Sequence, residues 1–119
     1  MSRAHKYGAK PTVVDNIRFA SQKEARRYQE LTLLVKAGAI HGLRLQPRYE
    51  LSVDNGDYPE NGEGRSITLG HYVADFAYME RTPDGTQTVV EDVKGFKTPL
   101  YRWKKKHVEA QYGIQIREI

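Results

Sequence analysis

Residues 88–99, TVVEDVKGFKTP, join an apolar run to a cluster of charge and then to a helix start. Thr88, Val89 and Val90 begin a buried strand, yet Glu91, Asp92 and Lys94 follow within four residues. Burying one charge is costly unless it is paired or coordinated, and three cost more. Thr98 and Pro99 then suit the N-cap and first position of a helix running to about Tyr112, with Gly113 as its stop. The stretch is therefore a strand that ends in charge and feeds a helix.

Upstream, ITLGHYVADFAYME (67–80) and TQTVVEDVKG (86–95) predict two strands joined at RTPDG. LRLQPRYELSV (43–53) predicts another, with Leu43, Leu45, Tyr49, Leu51 and Val53 on one face and Pro47 marking an edge or a bulge. SQKEARRYQELTLLVKAG (21–38) turns helical: Ser21 and Glu24 form a capping box and Gly38 a left-handed stop. Tyr28, Leu31 and Val35 make its apolar stripe, with Arg26, Arg27 and Glu30 directed elsewhere. TVVDNIRF (12–19) predicts a short strand pair and IQIREI (114–119) a closing strand. The expectation is one α/β domain over 1–119, in the order α-β-β-β-α-β, with a mixed central sheet flanked by helices, a basic arm at 1–17 and a surface loop at 54–66.

With 119 residues, 39% apolar and 29% charged, the chain suits one globular domain. It has no run of about 20 apolar residues, the length a membrane span needs, and no secretory-type leader, so a cytoplasmic protein without membrane contact is expected. The lack of cysteine excludes disulfides and thiolate zinc sites. The four histidines (5, 41, 71, 107) have no ligand spacing. The net charge of +4 is unevenly spread: residues 1–48 carry ten Lys/Arg against three Asp/Glu, 49–92 two against ten, and 93–119 seven against two. Basic flanks around an acidic middle suit a polyanion held near carboxylates; solvation of surface helices is the plain alternative.

Alternate strand residues share a face about 6.6 Å apart, which sets Asp92 beside Lys94 and turns Glu91 the other way, toward a structural role. Asp75, alone in the apolar run HYVADFAY, shares its face with Val73 and Ala77 on the neighbouring strand. Two acids on adjacent strands and a lysine suit a hard cation, magnesium or manganese. The competing reading is a salt bridge, but buried ion pairs add little stability, and two acids against one base leave a net negative charge. Glu24 heads the helix stripe that faces the sheet; it is either a third carboxylate of this site or the return half of the capping box.

An acid on the first helix, an Asp on one strand and Asp-x-Lys on the next resemble the PD-(D/E)XK nuclease superfamily. Its core motif reads here as Asp75 followed by Asp92-Val93-Lys94. KYGAKPTVVDNIRFASQKEARRYQEL, LQPRYEL, YVADFAY and VVEDVKGFKTPLYRWKKK are similar to small phage-encoded proteins assigned to that superfamily, over nearly the whole chain. The proline of the family name is absent, Val73-Ala74 preceding Asp75, which removes no ligand. The resemblance implies metal-dependent hydrolysis of DNA phosphodiesters in the host cytoplasm. Asp75, Asp92, the Val93 carbonyl and Glu24 would hold magnesium or manganese, and Lys94 would orient the attacking water or stabilise charge on phosphate. It further implies double-stranded or branched DNA, Holliday junctions included, and a homodimer.

Arg102, Lys104, Lys105 and Lys106 crowd about a turn and a half of the second helix and repel one another unless a polyanion is near. With Lys97 and the arm residues Arg3, Lys6 and Lys10 they are the expected nucleic-acid contacts, giving affinity without base choice. Leu100 and Trp103 are expected in the core. A non-catalytic nucleic-acid binder is the alternative function, against which Asp75, Asp92 and Lys94 weigh, since a pure binder gains nothing from anions facing phosphate. A protein-interaction module would need an apolar surface stripe, which the sequence does not display.

Overall fold

The computed structural model describes residues 10–56 and 65–119. Arg3, Lys6 and residues 57–64 of the expected loop lie outside them. The chain opens with a tight pair, β1 (Thr12–Val14) and β2 (Ile17–Phe19), turned by Asp15 and Asn16 at φ 52° and 63°. Asp and Asn tolerate that left-handed backbone and suit such a turn. Helix α1 (Gln22–Lys36) follows, its Ser21 hydroxyl accepting from the Glu24 N–H at 3.1 Å, with Gly38 at φ 77° just past its end. The remaining elements are β3 (Ile40–Leu45), β4 (Arg48–Asp54), β5 (Ser66–Val73), β6 (Phe76–Thr82), β7 (Gly85–Asp92), α2 (Pro99–Tyr112) and β8 (Ile116–Glu118). Thr98 caps α2 through the Tyr101 N–H at 3.0 Å, and Gly113 ends it at φ 64°.

The main sheet runs β3-β6-β7-β8; only β7 and β8, joined through α2, are parallel. This is a small α/β domain with a mixed sheet and two helices. The strand order differs from the expected one. Each of two expected long strands breaks in the middle, at Gln46–Pro47 and at Ala74–Asp75, and the outer halves β4 and β5 form a separate two-stranded sheet. Gln46 takes φ 50° and Pro47 has no N–H to continue a ladder, so the chain bends there. The breaks stay stitched together: Gln46 N–H donates to the Asp75 carbonyl at 2.9 Å, and Ala74 N–H to the Pro47 carbonyl at 3.0 Å.

Two cores lie on opposite faces of β6 and β7. On the α1 side Ala25, Tyr28 and Leu31 pack on Phe76, Tyr78 and Val89; on the α2 side Tyr101 and Val108 pack with Leu51, Tyr72, Ala77 and Val90. Four side chains depart from expectation. Val35, at the far end of the α1 stripe, is exposed, the buried face of the helix being confined to Glu24, Ala25, Tyr28 and Leu31. Leu100 and Trp103 are 61% and 51% exposed, since α2 turns Tyr101 and Val108 inward instead. Arg27, expected to face away, is drawn inward by Glu91. The surface also carries the apolar residues the sequence does not display as a stripe: Val53, Ile67, Leu69 and Val73 on β4–β5, and Leu33 and Leu34 on α1. No helix among the described residues is long and apolar enough to cross a membrane.

Candidate metal centre

Asp75, Asp92, Lys94 and Glu24 come together where β7 ends. Asp75 sits in the break between β5 and β6, off the strand on which the sequence placed it, and is half-buried. The bend frees its side chain to turn along the end of β7, where Oδ2 accepts the Val93 N–H at 2.7 Å. Its own N–H donates to the Glu91 carbonyl at 3.1 Å. Asp92 is the last residue of β7; Lys94 lies just beyond it, its Nζ 3.8 Å from Asp92 Oδ1 and 4.7 Å from the centre of the Tyr101 ring. Glu24, 7% exposed in the first turn of α1, faces Asp75, Lys94 and Asp92. The positive end of the helix favours an anion there.

Electrostatics single out Asp92. It is completely buried, and neither carboxylate oxygen accepts a hydrogen bond from the described residues. The nearby Asp75 N–H is already taken by the Glu91 carbonyl. Burial pushes its pKa up to about 6, against the pull of Lys94. Burial, then the charge of Asp75, pushes Glu24 up to about 7, with a backbone hydrogen bond at Ala20 and the Lys94 charge opposing. Asp75 is raised by the same desolvation, offset by the Val93 N–H and by Lys94. Three carboxyls thus share one ammonium, and all three resist ionisation. A buried acceptor without a donor is rare and marks a place for an unplaced partner.

A hard cation suits this donor set. Among the described residues no three His, Cys, Asp or Glu side chains close into a ready-made cage. Magnesium does not need one: it usually takes one or two carboxylates and fills its other positions with water and substrate phosphate. The orphaned oxygens of Asp92 beside the half-satisfied Asp75 fit that demand, and purely oxygen donors fit magnesium or manganese better than zinc.

The site opens into a cleft of about 470 Å³, whose lining includes Glu24, Asp75, Val93 and Lys94, with Lys10, Lys23 and Arg26 on its rim. Lys23 and Arg26 were missed from the sequence because exposed cations on a helix read as solvation; their signal is that they flank Glu24. Of the other expected contacts, Lys97 and Lys105 pair with Glu118 at 3.1 and 3.6 Å, and Lys104 donates to the His71 carbonyl at 3.0 Å. Arg102 and Lys106, one turn apart on α2, remain exposed.

Residues 4–118 match the model of the family described as Protein of unknown function, DUF1064. Among curated proteins and among solved structures, no match was found.

Proposed function

The chain belongs to the DUF1064 family, and from the geometry of its site we propose that it is a magnesium- or manganese-dependent endonuclease of PD-(D/E)XK type acting on DNA, with branched DNA such as four-way junctions as its substrate class and a homodimer as its working form. Asp92 carries the reading: a fully buried carboxylate with no hydrogen bond from the described residues, one lysine at 3.8 Å and two further acids nearby. Such a residue destabilises the protein by itself, and a cation makes it useful.

Asp75, Asp92, Glu24 and the Val93 carbonyl would hold the metal. When bound, the metal polarises the phosphoryl oxygen and acidifies the attacking water. The chain's own groups do the rest. The Val93 N–H orients Asp75 by holding Oδ2. Lys94, steadied against the Tyr101 ring, presents its ammonium to the charge that develops on phosphate. Glu24, whose pKa burial raises to about 7, must give up its proton to serve as a ligand, so metal binding should strengthen as pH rises. Lys10, Lys23 and Arg26 surround the carboxylates with positive charge, which suits the flanking phosphates of a polynucleotide. The strand-end placement of the acids and the resemblance noted above support the same assignment.

Incubation of the purified protein with linear, nicked, flapped and four-way DNA, with magnesium or with EDTA, tests it. Cleavage that requires magnesium and favours branched substrates is expected. Binding without cleavage under every condition would instead favour a non-catalytic nucleic-acid-binding protein.

A further inference from the structure

Directly before Asp92 stands a second buried carboxylate that the proposed chemistry does not use. Glu91 is completely buried and faces α1, opposite to Asp92, because successive strand residues alternate. Unlike Asp92 it is fully engaged. Arg27 grips it bidentately, Nε to Oε1 at 2.8 Å and Nη2 to Oε2 at 2.6 Å, and the Tyr78 hydroxyl donates to Oε2. A third guanidinium contact, Nη1 to Glu30 at 2.9 Å, holds the Arg27 side chain along its own helix.

This pairing adds little net stability, since desolvation of two charges consumes most of their attraction. What a bidentate guanidinium–carboxylate pair supplies is geometry, because two parallel bonds fix both separation and rotation. Here it joins the two elements that carry the site. Arg27 lies one turn after Glu24 on α1, and Glu91 lies one residue before Asp92 on β7. The contacts of α1 with the main sheet through Ala25, Tyr28 and Leu31 are apolar packing, which is not directional, and the Tyr28 hydroxyl donates at 3.0 Å to Asp15 in the β1–β2 turn, away from the site. The backbone of Glu91 fixes the remaining acid, since its carbonyl receives the Asp75 N–H.

We propose that Glu91 is a positioning residue, which through the Arg27 fork sets the spacing of Glu24 against Asp92 and Asp75 and thereby the affinity of the site for a divalent cation. This rests on the metal-site reading above. Partners that orient ligands from behind are commonly worth about 10–100-fold in metal affinity.

Manganese titration of the whole protein, followed by electron paramagnetic resonance and calorimetry beside thermal melting, tests it. Glu91→Gln keeps the volume but sets an amide against the fork; Arg27→Lys keeps the charge but loses the second bond, and is the milder change should Glu91→Gln not fold. Both are expected to weaken manganese binding about 10–100-fold. Tyr78→Phe removes a Glu91 partner that lies within the sheet, so it lowers the melting temperature and leaves manganese affinity within about twofold of wild type. Wild-type affinity in folded Arg27→Lys overturns the positioning role. So does a loss that tracks melting temperature equally across all three variants, which makes the network merely structural. A wild-type protein that binds no manganese refutes the metal-site reading itself, and this proposal with it.

Discussion

Replacing Asp92 with asparagine should stabilise the metal-free protein at alkaline pH, although it deletes a core side chain's charge next to a lysine. Asp92 has no exposure, and burial moves its pKa from 3.8 to about 6. Its folded-state pKa is raised, so the stability it contributes is complete below 3.8 and lost as pH rises through about 6. A shift of that size corresponds to about 3 kcal/mol between the two limits, at roughly 1.4 kcal/mol per unit. Asparagine has no such loss. Near pH 4 the wild-type carboxyl is largely protonated in the fold, so the variant then reports only the fit of an amide for an acid. Near pH 8 it also reports relief of the buried charge, and Glu24, no longer facing Asp92, ionises more easily, which adds in the same direction. The melting temperature of Asp92→Asn minus that of wild type, measured in EDTA, should therefore be higher at pH 8 than at pH 4 by on the order of 10 °C for a domain of this size. Excess magnesium should shrink the difference at pH 8 by stabilising the wild type alone. A variant shifted by the same amount at both pH values would refute the claim that burying the Asp92 charge costs more than Lys94 returns.

Glu24→Gln should lower the cleavage rate and raise the magnesium concentration required; wild-type behaviour at limiting magnesium would make Glu24 no more than a helix-capping residue. Ser21→Ala should cost on the order of 1 kcal/mol in denaturant melts through the lost N-cap, with chemistry unchanged. Joint replacement of Arg102 and Lys106 by glutamine should weaken binding to every DNA and reduce its salt slope by about two counterions at most, as read from fluorescence anisotropy over a salt series. Unchanged slopes would mean that this face of α2 is only solvated.

The sequence is most readable where structure is local. Thr98, Pro99 and Gly113 bound α2, and Asp15-Asn16 turn β1 into β2, through groups within a few residues of one another. Pro47 signals the interruption at Gln46–Pro47, but not its size, and the break at Ala74–Asp75 escapes the same reading, because each break borrows its hydrogen bond from the other and the two-residue alternation continues across both. Arg27 is misplaced for a related reason: its partner lies 64 residues away. Of the site, Asp75 and Asp92 stand out as acids within apolar runs, and the structure sets both beside Glu24 and Lys94. The engagement of Lys97, Lys104 and Lys105 by Glu118 and His71 has no sequence signature, since it depends on how β8 and β5 pack beside α2.

The role proposed for the buried carboxylates at the end of β7 is to hold a metal for phosphodiester hydrolysis. Its most direct test compares wild type with Asp92→Ala on four-way DNA, cleavage being read with magnesium and binding with EDTA. Wild type should cleave only with magnesium and Asp92→Ala should not cleave, while the variant binds DNA at least as tightly because one negative charge behind the cleft is gone. Full cleavage by Asp92→Ala would contradict it.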